Sequence, residues 1–196
     1  MTRRGTIVAP LSRKAIRRQA RLVRGKIWDV LQRYGIEKSL YIPLDKIFEI
    51  ASNDKQAFGF MPEVVCDNDI EGDLARADTK EGIIQVSEST YEGLCNGNPR
   101  ARFTLLHEMG HLFLYHQPEL TFSRSSEDIP AFKDSEWQAD NFAAELAMPL
   151  ECFEIYTDGQ IAEMCGISLS AVRCRRNILK KESLTTKYGN TQAKLL

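Results

Sequence analysis

The sequence lacks long apolar runs, internal repeats and low-complexity segments. Nowhere do about 18 apolar residues follow one another, the number that a helix needs to cross a membrane, so no membrane span is expected. The N-terminal stretch MTRRGTIVAPLSRKAIRRQARLVRGK is basic but has no apolar core and no small-residue cleavage site, so a secretory signal is not expected either. The 196 residues, of which 43% are hydrophobic, suit one compact domain with a sizeable core.

The chain also lacks a cysteine framework. The cysteines are odd in number, widely spread and without a C-x-x-C pair; they are Cys66, Cys95, Cys152, Cys165 and Cys174. This pattern excludes a disulfide scaffold and a cysteine zinc knuckle, and it favours a reducing, cytoplasmic location.

The net charge of −1 hides a strong asymmetry. Residues 1–26 carry nine Lys and Arg and no acid, and residues 173–196 carry seven Lys and Arg and one acid. The remaining body, 27–172, has ten basic and 26 acidic residues. Basic ends on an acidic body could contact an anionic partner such as DNA, although solvated helix faces and a tail explain the same pattern.

Hydrophobic periodicity and turn residues predict an α+β fold, mostly helical, with a small sheet beside a cleft. Helices are expected at about 12–34, 44–52, 100–116 and 135–146, and two strands joined by a turn near 80–82. Four segments follow: a basic N-terminal helix (1–36), a core (37–150), a helix-turn-helix-like pair (151–182) and a flexible tail (183–196). The core would hold the chemistry.

The stretch RFTLLHEMGHLFLYH contains an H-E-x-x-H array, formed by His107, Glu108 and His111. Residues four apart share a helix face, so both imidazoles can bind one Zn²⁺. Glu108 lies one position round, where its carboxylate can take a proton from a water molecule that zinc acidifies. Two packed, hydrogen-bonded histidines are the structural alternative, but two of the three histidines in the chain fall in this array.

A catalytic zinc needs a third protein ligand. His116 is one residue short of the metzincin spacing, which requires histidine at position 117, so it does not qualify. The stretch SEWQADNFAAELAMP offers Glu136, Asp140 and Glu145 on a second helix, and spacing alone does not rank Glu136 over Asp140. Alanines in this stretch, and Gly110 in the first helix, would let the two helices pack closely.

Together, RFTLLHEMGHLFL and EWQADNFAAELAMP resemble the ImmA/IrrE family of zinc metallopeptidases. The resemblance implies a zincin-like fold with one Zn²⁺ per chain, or Mn²⁺ in its place, bound by His107, His111 and Glu136. It makes Glu108 the catalytic base and Asp140 a partner for the free N–H of a ligand histidine.

The family includes cytoplasmic proteases that cut helix-turn-helix repressors of XRE type and thereby release stress or mobile-element genes. The resemblance therefore implies a zinc endopeptidase of narrow specificity with a repressor as its protein substrate. The alternative is a DNA- or protein-binding regulator, as in toxin–antitoxin-like pairs, with a structural or vestigial zinc site.

Two further sets of residues are candidates for binding. The segment QIAEMCGISLSAVRCRRNIL resembles a helix-turn-helix, and Arg173, Arg175 and Arg176 could touch DNA phosphates, unless its helices only brace the core. The strong strand at 83–87 could be a sheet edge that binds an extended substrate through Ile83, Ile84, Gln85 and Val86, unless it is an ordinary core strand.

Overall fold

A computed structural model describes the backbone of residues 6–70, 72–115 and 130–192, with side chains as far as Ser183. It confirms the predicted α+β fold, in which helices surround one small sheet. His116 lies outside the described residues. Within the described ranges, no helix combines the length and the apolar character that crossing a membrane requires.

The secondary-structure elements follow one another with short connections. The helices are α1 (Arg13–Arg33), α2 (Leu44–Asn53), α3 (Lys55–Phe58), α4 (Glu88–Cys95), α5 (Pro99–Phe113), α6 (Ser135–Ala147), α7 (Cys152–Ile155), α8 (Asp158–Cys165) and α9 (Leu169–Gln192). The strands are β1 (Met61–Val65), β2 (Ala75–Asp78) and β3 (Ile83–Ser87), and short 3-10 turns occupy Asp67–Ile70 and Ala131–Lys133.

The sheet has the order β1-β3-β2, so β3 is its central strand. It pairs with β1 in parallel and with β2 antiparallel. The prediction that Ile83, Ile84, Gln85 and Val86 form a substrate-binding edge is therefore wrong. Ile84 and Val86 are fully buried, and the same β-branched residues that make this the strongest strand in the sequence also make it the strand that the core encloses.

Helices α5 and α6 cross at a very short distance, because the two residues in contact, Gly110 and Ala139, have almost no side chain. A Cβ built on Gly110 would lie 3.0 Å from both the Cα and the carbonyl oxygen of Ala139. Around this point the interface is filled by large apolar side chains without exposed surface, among them Leu106 and Phe142. Both helices also have firm N-termini, with Asn98 and Asp134 as their N-caps.

Helix α1 packs along α6, and the extended segment before it is bound to the start of α6. The N–H of Val8 donates to the carbonyl of Lys133, and Thr6 exchanges hydrogen bonds with Ser135 through both its N–H and its carbonyl. The buried amide of Gln138 donates to the carbonyl of Ala9. This segment, residues 6–11, thus fixes the turn from which α6 emerges.

Several short elements were not expected from the sequence. Helix α4 follows β3 directly, with Ser87 as its N-cap, and is not among the helices predicted from the sequence. At the other end, α8 and α9 are joined at Gly166, whose φ of 64° suits glycine. The backbone of α9 then continues to Gln192, so its last turns lie in the segment 183–196 that was predicted as a tail.

Replacing Gly110 by alanine should destabilise the protein by about 1–3 kcal/mol, because neither helix backbone can yield locally to the added methyl group. The same change should weaken metal binding at the residues on either side of Gly110, described below. Urea unfolding and the zinc content of the purified protein would measure the two effects.

Gly25→Ala is the matched control, since a Cβ at Gly25 in the middle of α1 meets nothing within 4 Å. It should stabilise the protein by about 0.5–1 kcal/mol, as alanine does in an open helix position. Equal stability of Gly110→Ala and Gly25→Ala would show that the α5–α6 contact is not as tight as described.

Candidate metal centre

Two helices supply the side chains of the site. His107 and His111 lie one turn apart on the face of α5 that meets α6, and Glu136 lies in the first turn of α6. Because the helices approach so closely at Gly110, the carboxylate of Glu136 reaches both imidazoles. These are the residues whose donor atoms come together as a group that could hold a metal ion.

The donor atoms of this group have the spacing that a zinc ion requires. The Nε2 atoms of His107 and His111 are 3.0 Å apart, and each lies 3.3 Å from an oxygen of Glu136. A tetrahedral site with bonds of about 2.0–2.1 Å has ligand–ligand distances of about 3.3 Å. Two nitrogens and one oxygen also suit Zn²⁺ chemically, and the described residues place no fourth protein ligand within this group.

Asp140 orients the first histidine. Its Oδ1 lies 2.8 Å from Nδ1 of His107, so Nδ1–H donates to the carboxylate and the lone pair of Nε2 points to the metal position. Burial lowers the pKa of His107, but the hydrogen bonds to Asp140 and Glu136 outweigh it and raise this pKa to about 9 in the metal-free protein. The same contacts with His107 and His111 depress the pKa of Glu136 far below its ordinary value.

Glu108 lies beside the ligand group and points toward the sheet. Its Oε2 accepts a hydrogen bond of 2.9 Å from the backbone N–H of Ala77 in β2. Burial raises the pKa of this carboxyl group, against the opposing effect of His111 and His107. A carboxylate with a raised pKa is a stronger base, which is the property that proton transfer close to neutral pH requires.

The site opens into a cleft of about 310 Å³ between β2 and the N-terminal segment. Its lining combines the H-E-x-x-H residues with strand β2, Thr6 and the start of α6: Thr6, Asp73, Ala75, Arg76, Ala77, Thr79, His107, Glu108, His111, Ser135 and Glu136. Sequence reasoning missed Thr6, Ser135 and the β2 residues. Their involvement depends on contacts between segments that are distant in the sequence, 31 residues apart for Ala77 and Glu108 and 129 apart for Thr6 and Ser135, for which the sequence holds no local signal.

Glu145, the third acidic candidate, is not at the site. It is 8% exposed and bonds to Arg17 at 2.9 Å and to Arg175 at 2.7 Å. Its carboxylate thus links α1, α6 and α9 on the far side of α6 from His111.

The arginines predicted to touch DNA differ in their surroundings. Arg175 is 5% exposed and bonds to the carbonyl of Met148 and to Glu145. Arg176 bonds to Asp158 and to two backbone carbonyls. The prediction is wrong for these two residues, because internal partners already hold their guanidinium groups; Arg173 is exposed.

Residues 93–176 match the family model Peptidase_M78, described as the IrrE N-terminal-like domain. This segment belongs to the ImmA/IrrE family. The predicted resemblance is thereby confirmed, and the M78 segment contains both helices of the metal-binding group, helix α8 and the first two turns of α9. The chain therefore carries a metallopeptidase-type domain with a His/His/Glu group.

Other comparisons are more distant. A Mycobacterium tuberculosis transcriptional regulator of known structure is similar over 83% of this chain, with 12% identity and a TM-score of 0.46. This chain spans half the length of that regulator. No curated protein matches this chain.

Removing a ligand should remove the metal. We expect His111→Ala and Glu136→Ala to lose most of about one zinc per chain, because two remaining donors cannot hold the ion. Asp140→Asn should retain the three ligands but bind zinc about 10–100-fold more weakly, because Asp140 orients His107 and does not itself bind the metal. Metal analysis after dialysis against a weak chelator measures both effects, with Glu163→Gln on the surface of α8 as control. Full zinc in Glu136→Ala would exclude this residue as a ligand.

Zinc affinity should depend on pH. Below pH 9 the metal-free site holds a proton on His107 that zinc must displace, so affinity should rise about tenfold per pH unit between pH 6 and 8. In the metal-free protein the sign for stability is opposite: the raised pKa stabilises the fold below about pH 6.5, and this contribution is lost as the pH rises through 9.

Chelator competition across this pH range measures the affinity. Asp140→Asn removes the first hydrogen bond that raises the pKa of His107, so the pH dependence of this variant should be shallower above neutral pH. A zinc affinity that does not change between pH 6 and 8 would contradict the protonated site.

Proposed function

We propose that the protein is a zinc-dependent endopeptidase of narrow specificity that acts in the cytoplasm. The observation that carries this proposal is the position of Glu108. Its carboxylate lies beside a three-donor metal group, in a cleft that is open to a substrate. A zinc site that serves only structure has four protein ligands and no use for a base at this position.

His107, His111 and Glu136 would hold the zinc ion, which supplies Lewis acidity and lowers the pKa of a bound water. Glu108 takes the proton from the attacking water and passes it to the leaving amine. The partly buried surroundings of Glu108 raise its pKa and so favour both transfers. Asp140 keeps His107 in the tautomer that leaves Nε2 unprotonated.

Strand β2 is the sheet edge that an extended substrate would use. In an antiparallel pair, every second residue directs its backbone N–H and C=O toward the neighbouring strand. Leu74 is such a residue, because its carbonyl accepts a hydrogen bond from the N–H of Ser87 at the end of β3. The backbone groups of Ala75 and Ala77 therefore point away from β3, and that of Ala77 reaches Glu108. A peptide added to this edge would place its scissile bond beside the catalytic base.

The substrate class follows from the family. We propose a helix-turn-helix repressor of XRE type, whose cleavage would release the genes that it represses. Because edge binding requires an extended peptide, the scissile segment must lie in a loop or open by local unfolding. Regulation of cleavage could therefore act on the repressor as well as on the protease.

The second candidate is a regulator that binds protein or DNA and does not cut. The hydrogen bond from Ala77 to Glu108 favours it in one respect, because it engages the proposed base in a structural contact. Loss of the Glu108 carboxylate should abolish the function of a peptidase, whereas a regulator that does not cut has no cleavage to lose.

Glu108→Gln should keep the fold and the zinc but lose cleavage by at least about 100-fold, since an amide cannot accept the proton. The assay is cleavage of helix-turn-helix regulators encoded beside the gene, mixed with zinc-loaded protein. Glu92→Gln, on the exposed surface of α4, is the control with the same change of charge. Cleavage by Glu108→Gln at the wild-type rate would refute the mechanism, and no cleavage by the wild type would favour the regulator.

Ala75→Pro should impair cleavage and leave zinc content unchanged. Proline removes an N–H that faces away from β3, so it blocks the outer edge but breaks no bond within the sheet. Ala75→Ser retains the N–H and is the control. If Ala75→Pro folds and cleaves like Ala75→Ser, substrate does not bind to β2.

A further inference from the structure

A wide groove of about 990 Å³ runs between α1 and the C-terminal part of α9. Of the nine described side chains that line it, six are cationic and one is acidic: Arg13, Lys14, Arg17, Arg18, Arg21, Leu22, Leu150, Lys181 and Glu182. The groove therefore has a net charge of +5 on a protein whose total charge is −1. The two basic ends, far apart in sequence, meet here.

The exposed cations of α1 form a row. Lys14, Arg18 and Arg21 follow one another at spacings of four and three residues, so they share a helix face about 10 Å long. All three are exposed, and among the described residues Lys14 and Arg18 make no ion pair. Arg21 pairs with Glu151, but both partners are more than half exposed, so this bond is easily exchanged for another.

A second row holds the groove in shape. Arg17 bonds to Glu145 and Glu182, and Arg13 lies 3.6 Å from Glu182, so α1 is tied to α6 and α9. These ion pairs neutralise part of the positive charge of the groove, but they also fix the distance between α1 and the other two helices. The outer row on α1 and Lys181 on α9 line the same groove.

The chemistry of the lining selects among polyanions. Four of its six cations are arginines, which bind phosphate oxygens in a bidentate manner. Among the described residues that line the groove, none is an aromatic residue on which unpaired bases could stack, and none is an Asn or Gln that could read a base edge. This composition suits the sugar–phosphate backbone of a duplex better than a single strand, and predicts binding without sequence preference.

We propose that this groove binds the phosphate backbone of double-stranded DNA. The acidic remainder of the chain repels DNA elsewhere and so orients the protein with the groove against the duplex. The site is separate from the metal centre and needs no peptidase activity. It is also a different surface from the one predicted from the sequence, which consisted of Arg173, Arg175 and Arg176. Arg175 and Arg176 bond to acidic side chains and backbone carbonyls of this chain.

The test is fluorescence anisotropy of a labelled duplex of mixed sequence with the full chain, at salt concentrations from about 25 to 200 mM. The variant K14Q/R18Q/R21Q removes the outer row and leaves Arg13 and Arg17 in place. It should bind at least about tenfold more weakly at the lowest salt, and its slope of log K against log salt should be shallower by about 2–3, because each phosphate contact contributes about 0.9.

K26Q/R33Q/K38Q is the matched control, since it removes the same charge from exposed residues elsewhere. It should retain most of the affinity and the wild-type slope. Equal losses in both variants would overturn the proposal and assign binding to net charge alone. So would absence of binding by the wild type, or tighter binding of a single strand than of the duplex. Poly-glutamate is the last ligand to be tested. If poly-glutamate binds through the outer row and the duplex does not bind, the proposal is overturned and the partner of the groove is an acidic protein.

Discussion

The close contact between Gly110 and Ala139 is the constraint on which the site depends. At this point α5 and α6 approach so closely that a carboxylate in the first turn of one reaches two imidazoles on the other. The ligands come from rigid elements with defined N-caps rather than from loops, so their positions are set by backbone packing. The metal group is thus largely preformed.

Further contacts fix the two helices on the remaining sides. The N-terminal segment pairs with the turn before α6 and so holds the residue next to Glu136. On the opposite side of α6, Glu145 joins arginines of α1 and α9. A buried carboxylate with two guanidinium partners contributes little net stability, but removal of either partner would leave charge uncompensated. This cluster therefore fixes the relative positions of α1, α6 and α9 but adds little to the free energy of unfolding.

Much of this arrangement could be predicted from the sequence, for identifiable reasons. The helices carrying the metal group begin at clear N-caps, and the placement of the H-E-x-x-H side chains on one face follows from helix geometry alone. Ranking Glu136 above Asp140 needed family resemblance, because both lie on one face. Strand order could not be predicted: β-branched residues mark 83–87 as a strand but do not show that β2, with its weak pattern ARAD, lies outside it. The misplaced edge and the internal bonds of Arg175 both depend on long-range contacts that leave no local pattern.

The described lining residues of the metal-site cleft and of the basic groove do not overlap, so a protein bound to DNA through the groove would still present its cleft to the proposed repressor. Whether the cleft is catalytic depends on the zinc coordination. The most direct measurement is a crystal structure of the zinc-loaded protein, with the metal located by its anomalous scattering. The account predicts zinc at about 2.0–2.2 Å from Nε2 of His107 and His111 and from the carboxylate of Glu136, with the next position free of protein atoms. Zinc bound by Asp140, or closed off by a fourth side chain, would contradict it.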